Sequence, residues 1–296
     1  MRAGAADEEL DPTRPVRVGA VQPLTPEIRR LTQDNPGPFT GPGTNSYLIG
    51  RPGEPRVVLD PGEERDDGHL ERLLEAIGRD PLAAVLISHA HPDHGPLAPR
   101  LAARAKAPIL AFDARAGLAP DRRIGEGTRI RAGGVELVAL HTPGHASDHL
   151  CFLEEEARIL FCADHVMGWS TTVIAPPDGD LRAYLATLDR LLDLDVDLYL
   201  PGHGPALAEP QRRVVELRDH RHARTAQLVA ALRAAPGTPA ELVERIYTDV
   251  DPKLYGAARM SLLAHLAALA GDGLVRASGG DPSTALYRWT GGEGDR

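Results

Sequence analysis

The stretch Ser88-His89-Ala90-His91-Pro92-Asp93-His94-Gly95 puts three imidazoles and a carboxylate within six residues. Nitrogen and oxygen donors of these types suit a borderline-soft divalent cation. The spacing matters as much as the types. His89 and His91 stand two apart at the end of the apolar run 83–87, so both can face the same side of a strand end. Asp93 and His94 then turn with the loop toward a second position, and Pro92 limits how that loop bends. A solvated loop is the ordinary reading of one such histidine; groups this dense need a shared partner.

Three further groups follow apolar runs in the same way. Thr142-Pro143-Gly144-His145 follows 135–140, Cys162-Ala163-Asp164 follows 158–161, and Pro201-Gly202-His203-Gly204 follows 198–200. Each alone reads as a turn or a helix cap. Four such groups at the strand ends of one sheet can converge.

The elements that must position them are legible from periodicity. Short apolar runs at 47–49, 56–59, 83–87, 135–140 and 198–200 are strand-like, and 149–153 with 158–162 flank an acidic turn as a hairpin. Between them, Leu70, Leu73, Leu74 and Ile77 keep a helical period, as do Leu181, Tyr184, Leu185, Leu188, Leu191 and Leu192 behind an N-cap at Asp180. Strands interleaved with helices predict an α/β layered domain with its chemistry on loops after strand ends.

From residue 206 the apolar runs turn helical. A helix over 209–235 ends at Pro236-Gly237, and Thr238-Pro239-Ala240-Glu241 carries a capping box and a first-turn proline. A third helix runs through Leu254, Ala258, Leu262, Leu266 and Leu269, and 274–277 with 284–289 make a hairpin. That order predicts a winged helix. The expected organisation is a loose leader at 1–15, a metal-binding catalytic domain at 16–205 and a winged-helix-like domain at 206–296.

Composition narrows the function. The 296 residues carry 33 Lys or Arg against 42 Asp or Glu, a net charge of −9. A globally basic nucleic-acid binder is excluded. Residues 206–296 hold 12 basic and 11 acidic residues, so the acidic excess lies before them. Two cysteines, Cys151 and Cys162, cannot make a disulfide framework. No apolar run approaches the roughly 20 residues needed to span a bilayer, and the first eleven residues lack an apolar signal core. No membrane association and a cytoplasmic compartment are the expectation.

The order H-x-H-x-D-H at 89–94, then His145, Asp164 and His203, resembles the metallo-β-lactamase superfamily. Within it the chain is most similar to the lactamase-beta-like protein 2 group, which pairs that fold with a C-terminal winged helix. Supporting stretches are 35–50, 142–149, 170–174 and 199–205. One departure is Gly95-Pro96-Leu97, where relatives often carry a second glycine. The resemblance implies a four-layer αββα sandwich with two divalent metal ions at one edge. His89, His91 and His145 would hold the first, Asp93, His94 and His203 the second, and Asp164 would bridge them. Asp60, in Leu-Asp-Pro-Gly, matches a position that steadies the metal loop from behind. Zinc is the default; iron or manganese also suits such ligands. Antibiotic-hydrolysing lactamases lack the bridging aspartate, so Asp164 disfavours that activity. Redox di-iron relatives carry Glu where this chain has His91, which favours hydrolysis. Cys162 reads as a packed strand residue.

The implied chemistry is attack by a hydroxide shared between the metals on a carbonyl carbon or a phosphorus, with Asp93 as the catalytic residue that orients the nucleophile and accepts its proton. His165, Ser170 and Thr171 could line the substrate cleft; His165, His149 and His141 read equally as outer hydrogen-bonding partners, and the hydroxyls at 170–172 as caps of a strand beginning at Val173. A small ester, thioester or lactone is the expected substrate. The alternative is single-strand-selective endoribonuclease activity, known in the resembled group. Sequence-specific DNA binding is not expected, because the third C-terminal helix carries only Arg259 and His265, with Lys253 at its start. Arg212, Arg213, Arg218, Arg221 and Arg224 form either a solvated, internally paired face or a basic lip for an anionic substrate. The C-terminal domain could roof the active site or form a homodimer contact.

Overall fold

The computed structural model describes residues 10–115, 117–248 and 250–291. Most of the leader expected at 1–15 thus lies outside the described residues. Contacts between Cα positions divide the chain into two compact units. The first comprises residues 1–142, 148–171 and 195–210; the second comprises 143–147, 172–194 and 211–296.

The first unit is built on two sheets. One has seven strands in sequence order: β1 (Val21–Pro23), β2 (Ile28–Thr32), β3 (Asn45–Ile49), β4 (Arg56–Leu59), β5 (Leu82–Leu86), β6 (Ile109–Ala111) and β7 (Arg122–Arg123). The first three pairings are antiparallel and the rest parallel. The helices α1 (Asp67–Ile77) and α2 (Ala98–Ala105) make the crossovers that parallel pairing requires. The second sheet runs β12 (Leu198–Pro201), β11 (Ile159–Ala163), β10 (Leu150–Glu154), β9 (Val135–His141) and β8 (Arg129–Ala132), with β11 and β12 parallel.

Strand alternation explains the layers. Tyr47, Ile49, Val57 and Leu59 point into a core shared with Leu137, Ala139, Phe152 and Phe161 of the second sheet. Leu48 and Val58, one residue out of phase, join the other core with Leu70, Leu73 and Ile77 of α1 and Leu101 of α2. The strands are buried on both faces, so they read as continuous apolar runs. β1, β2, β6, β7, β8 and α2 were not legible: β2 carries Arg29 and Arg30 inside it, β7 is two arginines, β8 alternates arginine with apolar residues, and α2 is an alanine-rich segment with Arg100 and Arg104.

The second unit holds α3 (Leu181–Leu192), α4 (Pro210–Ala234, but for its first residue), α5 (Pro239–Ile246), a short 3-10 turn (Pro252–Leu254), α6 (Tyr255–Gly271) and the antiparallel pair β13 (Val275–Ser278) and β14 (Leu286–Trp289). Asp180 caps α3 by accepting from the Ala183 amide at 2.8 Å. Thr238 and Glu241 form the expected capping box. Gly237 exchanges two backbone hydrogen bonds with Tyr287, adding a third extended segment to the hairpin. Leu228, Leu232, Leu242, Ile246, Leu262, Leu266 and Tyr287 share one core. This is the predicted helix, helix, helix, hairpin order. No described helix is long and apolar enough to cross a membrane.

Candidate metal centre

In the first unit, the ends of the parallel strands deliver the polar residues, as open α/β sheets generally do. Asp60 follows β4, the 88–94 loop follows β5, Asp164 follows β11 and His203 follows β12. Two of the turns are forced. Asp60 has φ 52° and Ala163, directly before Asp164, has φ 41°. For an alanine that left-handed conformation costs about 1–2 kcal/mol, which the surrounding hydrogen bonds must outweigh. Asp60 is held by its amide to Leu86 O at 2.9 Å, and the Gly202 amide donates to Ala163 O at 2.8 Å.

The ring nitrogens are sorted by their partners. Nδ1 of His94 lies 2.9 Å from Asp60 Oδ2, and Nδ1 of His203 lies 3.2 Å from the Gly43 carbonyl. A carbonyl or carboxylate only accepts, so both rings carry the proton on Nδ1 and turn Nε2 inward. Ser88 Oγ donates to Asp60 Oδ2 at 2.6 Å, so His89 Nδ1, 2.9 Å from Ser88 Oγ, donates to that hydroxyl. Asp60 thus orients His94 directly and His89 through Ser88.

The inward atoms converge. His94 Nε2 lies 3.3 Å from Asp164 Oδ1 and 3.5 Å from Asp93 Oδ2; His203 Nε2 lies 3.3 Å and 3.2 Å from the same two oxygens. His89 Nε2 and His91 Nδ1 face each other at 2.9 Å. The sets His89, His94, Asp164 and Asp93, His94, His203 each bring their ligand atoms within 4.8 Å. Burial opposes charge on all of them, but the mutual attraction wins. The carboxylates of Asp93, Asp164 and Asp60 hold His94 well above the usual imidazole range. His203 is pushed up to about 9, burial notwithstanding, chiefly by Asp164. In return His203 and His94 hold Asp164 well below the carboxylate range, and His94 and His203 lower Asp93.

These residues fit divalent cations. Among the described residues the buried Nε2 atoms of His94 and His203 have no hydrogen-bond partner, and with Nδ1 committed as a donor, Nε2 is the atom each ring offers a metal once it gives up its proton. Asp164 Oδ1 stands 3.3 Å from Nε2 of both rings, and Asp164 also groups with His89.

His145 belongs to the second unit, where its Nδ1 lies 2.6 Å from the Val173 carbonyl. Of the remaining candidates, His149 and His165 are buried, with ring centroids 5.6 Å apart. His149 Nδ1 lies 2.8 Å from Thr142 Oγ1, and its ring centroid is 5.1 Å from that of His89. His141 stacks on Phe112 at 4.3 Å. Ser170 and Thr171 are half-buried, and no strand begins at Val173; residues 171–175 are irregular, so the capping role expected for those hydroxyls does not exist. Cys162 is a buried strand residue whose Sγ meets the Val166 carbonyl at 3.2 Å, and burial raises its thiol.

Sequence reasoning missed the cradle of the His203 loop. Asn45 Nδ2 donates to the carbonyls of Pro201 and Gly204, both at 2.9 Å, and the Tyr47 hydroxyl donates to Pro201 O at 2.7 Å. It also gave Ser88 and Asp148 no role, although Asp148 Oδ2 accepts from the Ala90 amide at 3.1 Å. The available signal was Asn45-Ser46 opening an otherwise apolar strand: buried polar groups must find partners.

The profile of the metallo-beta-lactamase superfamily matches residues 39–203, and that of the beta-lactamase associated winged helix domain matches 238–289. A beta-lactamase-like protein 2 homolog of Caenorhabditis elegans is 28% identical, covering 93% of both chains. An atrochrysone carboxyl ACP thioesterase of Aspergillus chevalieri is 34% identical over 72% of this chain and 68% of its own. The crystal structure of a beta-lactamase domain protein from Burkholderia ambifaria superposes with a TM-score of 0.78 at 22% identity, covering 92% of this chain and 94% of the other.

Proposed function

The chain belongs to the metallo-β-lactamase superfamily, as a hydrolase with a C-terminal winged helix, and on that premise we propose that it holds two divalent ions, by default zinc, and cleaves a small ester, thioester or lactone. The observation that carries the two-ion reading is that Asp164 groups with His89, assigned to the first ion, and also stands 3.3 Å from the inward nitrogens of His94 and His203, assigned to the second. His89, His91 and, by its place in the motif, His145 would hold the first ion; Asp93, His94 and His203 the second, with Asp164 between them. Bound there, the ions would supply a water of lowered pKa and polarise the electrophile's oxygen.

The chain's own groups supply orientation and proton transfer. Asp60 and Gly43 keep the Nδ1 protons of His94 and His203 away from the reacting side. Asp93, whose side chain is about 20% exposed, is the most open of the clustered carboxylates. Its lowered pKa keeps it ionised at neutral pH. It would orient the attacking water and accept its proton.

Similarity to a thioesterase supports a carbonyl substrate. Similarity over nearly the full length to a beta-lactamase-like protein 2 homolog keeps endoribonuclease activity as the second reading. The basic helix speaks against it. Arg212 and Arg213 pair with Glu216, Arg218 with Asp189, and Arg224 lies 4.3 Å over the Tyr247 ring. The internally paired face, rather than a lip of free cations, accounts for all of these except Arg221, which is buried. A panel of thioesters, lactones, a cephalosporin, a phosphodiester and labelled single-stranded RNA on zinc-loaded protein tests the assignment. Thioester or lactone turnover is expected; RNA cleavage that disappears in His94→Ala would replace it with the second reading.

A further inference from the structure

Arg221 is 2% exposed, in the middle of α4. Among the described residues no carboxylate pairs with it, and its Nε makes no hydrogen bond. Its Nη2 donates to the Thr172 carbonyl. Its guanidinium carbon sits 5.5 Å from the centroid of the buried Tyr184 ring, and the Tyr184 hydroxyl bonds to both Arg221 and the Thr172 side chain. Burying an unpaired guanidinium is costly, and an apolar side chain of similar length would usually pack there at lower cost. The carbonyl that Arg221 holds opens the Thr172-Val173 peptide, and the Val173 carbonyl is the one that receives Nδ1–H of His145 at 2.6 Å.

The rest of the second unit grips the His145 loop from its other side. The Asp180 amide donates to Gly144 O at 2.8 Å, and Thr187 Oγ1 donates to Pro143 O at 2.9 Å. Gly144, at φ 142°, packs so closely that a Cβ there would stand 2.3 Å from Tyr184 Cα. Tyr184 therefore supports His145 twice, through its backbone under Gly144 and through its hydroxyl on Thr172 and Arg221.

We propose that Arg221 is a positioning residue for His145: from the long helix that leads into the winged helix, it fixes the Thr172-Val173 peptide so that His145 keeps its proton on Nδ1 and presents Nε2 as a metal ligand. A ring held in one tautomer by an outer partner is a better ligand, and loss of such a partner typically weakens metal binding 10–100-fold. This rests on the reading of His145 as a ligand, but the tautomer itself does not.

The test is the His145 tautomer in metal-free protein, read from long-range proton–nitrogen correlations of histidine-labelled chain at pH 8, with His145→Gln assigning the signal. Wild type should show Nδ1–H. Arg221→Met should fold, show a mixture or the Nε2–H form, and bind zinc about tenfold or more weakly by chelator competition. Arg221→Lys, which keeps the charge but not the planar fork, should fall between; it decides the matter if Arg221→Met does not fold. A folded variant with the wild-type tautomer, or with a shifted tautomer and unchanged zinc affinity, overturns the proposal. If wild type binds no zinc, the hydrolase reading fails on its own, and the tautomer alone decides the positioning role.

Discussion

Nδ1 of His94 lies 2.9 Å from Oδ2 of Asp60, and this contact decides which face of the ring meets the clustered carboxylates. Asp60 also accepts from the Ser88 amide and hydroxyl, at 2.8 and 2.6 Å. Asp60→Asn is the informative change, since asparagine tolerates the φ of 52°. Its amide cannot accept at every point the carboxylate does. We expect zinc affinity to fall about 10–100-fold in chelator competition, with the fold retained by circular dichroism.

Gly202 has no room for a side chain. A Cβ there would stand 2.4 Å from Asp164 Oδ1 and 2.8 Å from His94 Cε1. Gly202→Ala must therefore displace the carboxylate shared by the two rings. Hydrolysis should drop at least about 100-fold, because a displacement near 1 Å at a positioned group costs that much. Metal content should fall with it, while the melting temperature changes little. Wild-type turnover in this variant would remove Asp164 from the site.

Metal-free protein should take up zinc with proton release. Folding raises the His203 pKa to about 9 and lifts His94 well above its ordinary value, so both rings hold a proton more tightly than a free imidazole, and His203 is protonated at pH 7. Metal ligation needs them neutral. Calorimetry in buffers of different ionisation enthalpy should report net proton release at pH 7, from His203 at least, and less of it above pH 9. The same sign applies to stability without metal. The raised His203 pKa contributes stability that is full below about 6.5 and is lost as the pH climbs through 9.

The second unit should respond to acid in the opposite direction. Burial, then Arg221, His220 and Arg224, push His265 down to about 3. Its ring is neutral in the folded unit and accepts a proton only on unfolding. Its contribution is therefore full above about 6.5 and lost as the pH falls toward 3. Urea melts followed at Trp289, beside β13, should lose midpoint between pH 7.5 and 5, and His265→Gln should flatten that slope.

What was legible followed from local chemistry. The H-x-H-x-D-H run, Asp164 and His203 announce themselves because several metal-ligand types crowd short turns after apolar runs. Asp180, Thr238 and Glu241 announce helix starts because their side chains satisfy amides within three residues. What was hidden is long-range. Asn45 meets Pro201 across 156 residues of sequence, and Arg221 meets Thr172 across 49. On α4 the six arginines look alike in sequence. Burial alone separates Arg221 from the paired Arg212, Arg213 and Arg218, and burial follows from the packing of the second unit.

The most direct measurement is metal content beside hydrolysis. Protein loaded with zinc, desalted and analysed by inductively coupled plasma mass spectrometry should carry about two ions per chain. Asp164→Ala should lose at least one of them together with thioester or lactone hydrolysis. Less than one ion per wild-type chain, or an Asp164→Ala protein with unchanged metal and activity, would contradict the two-ion account.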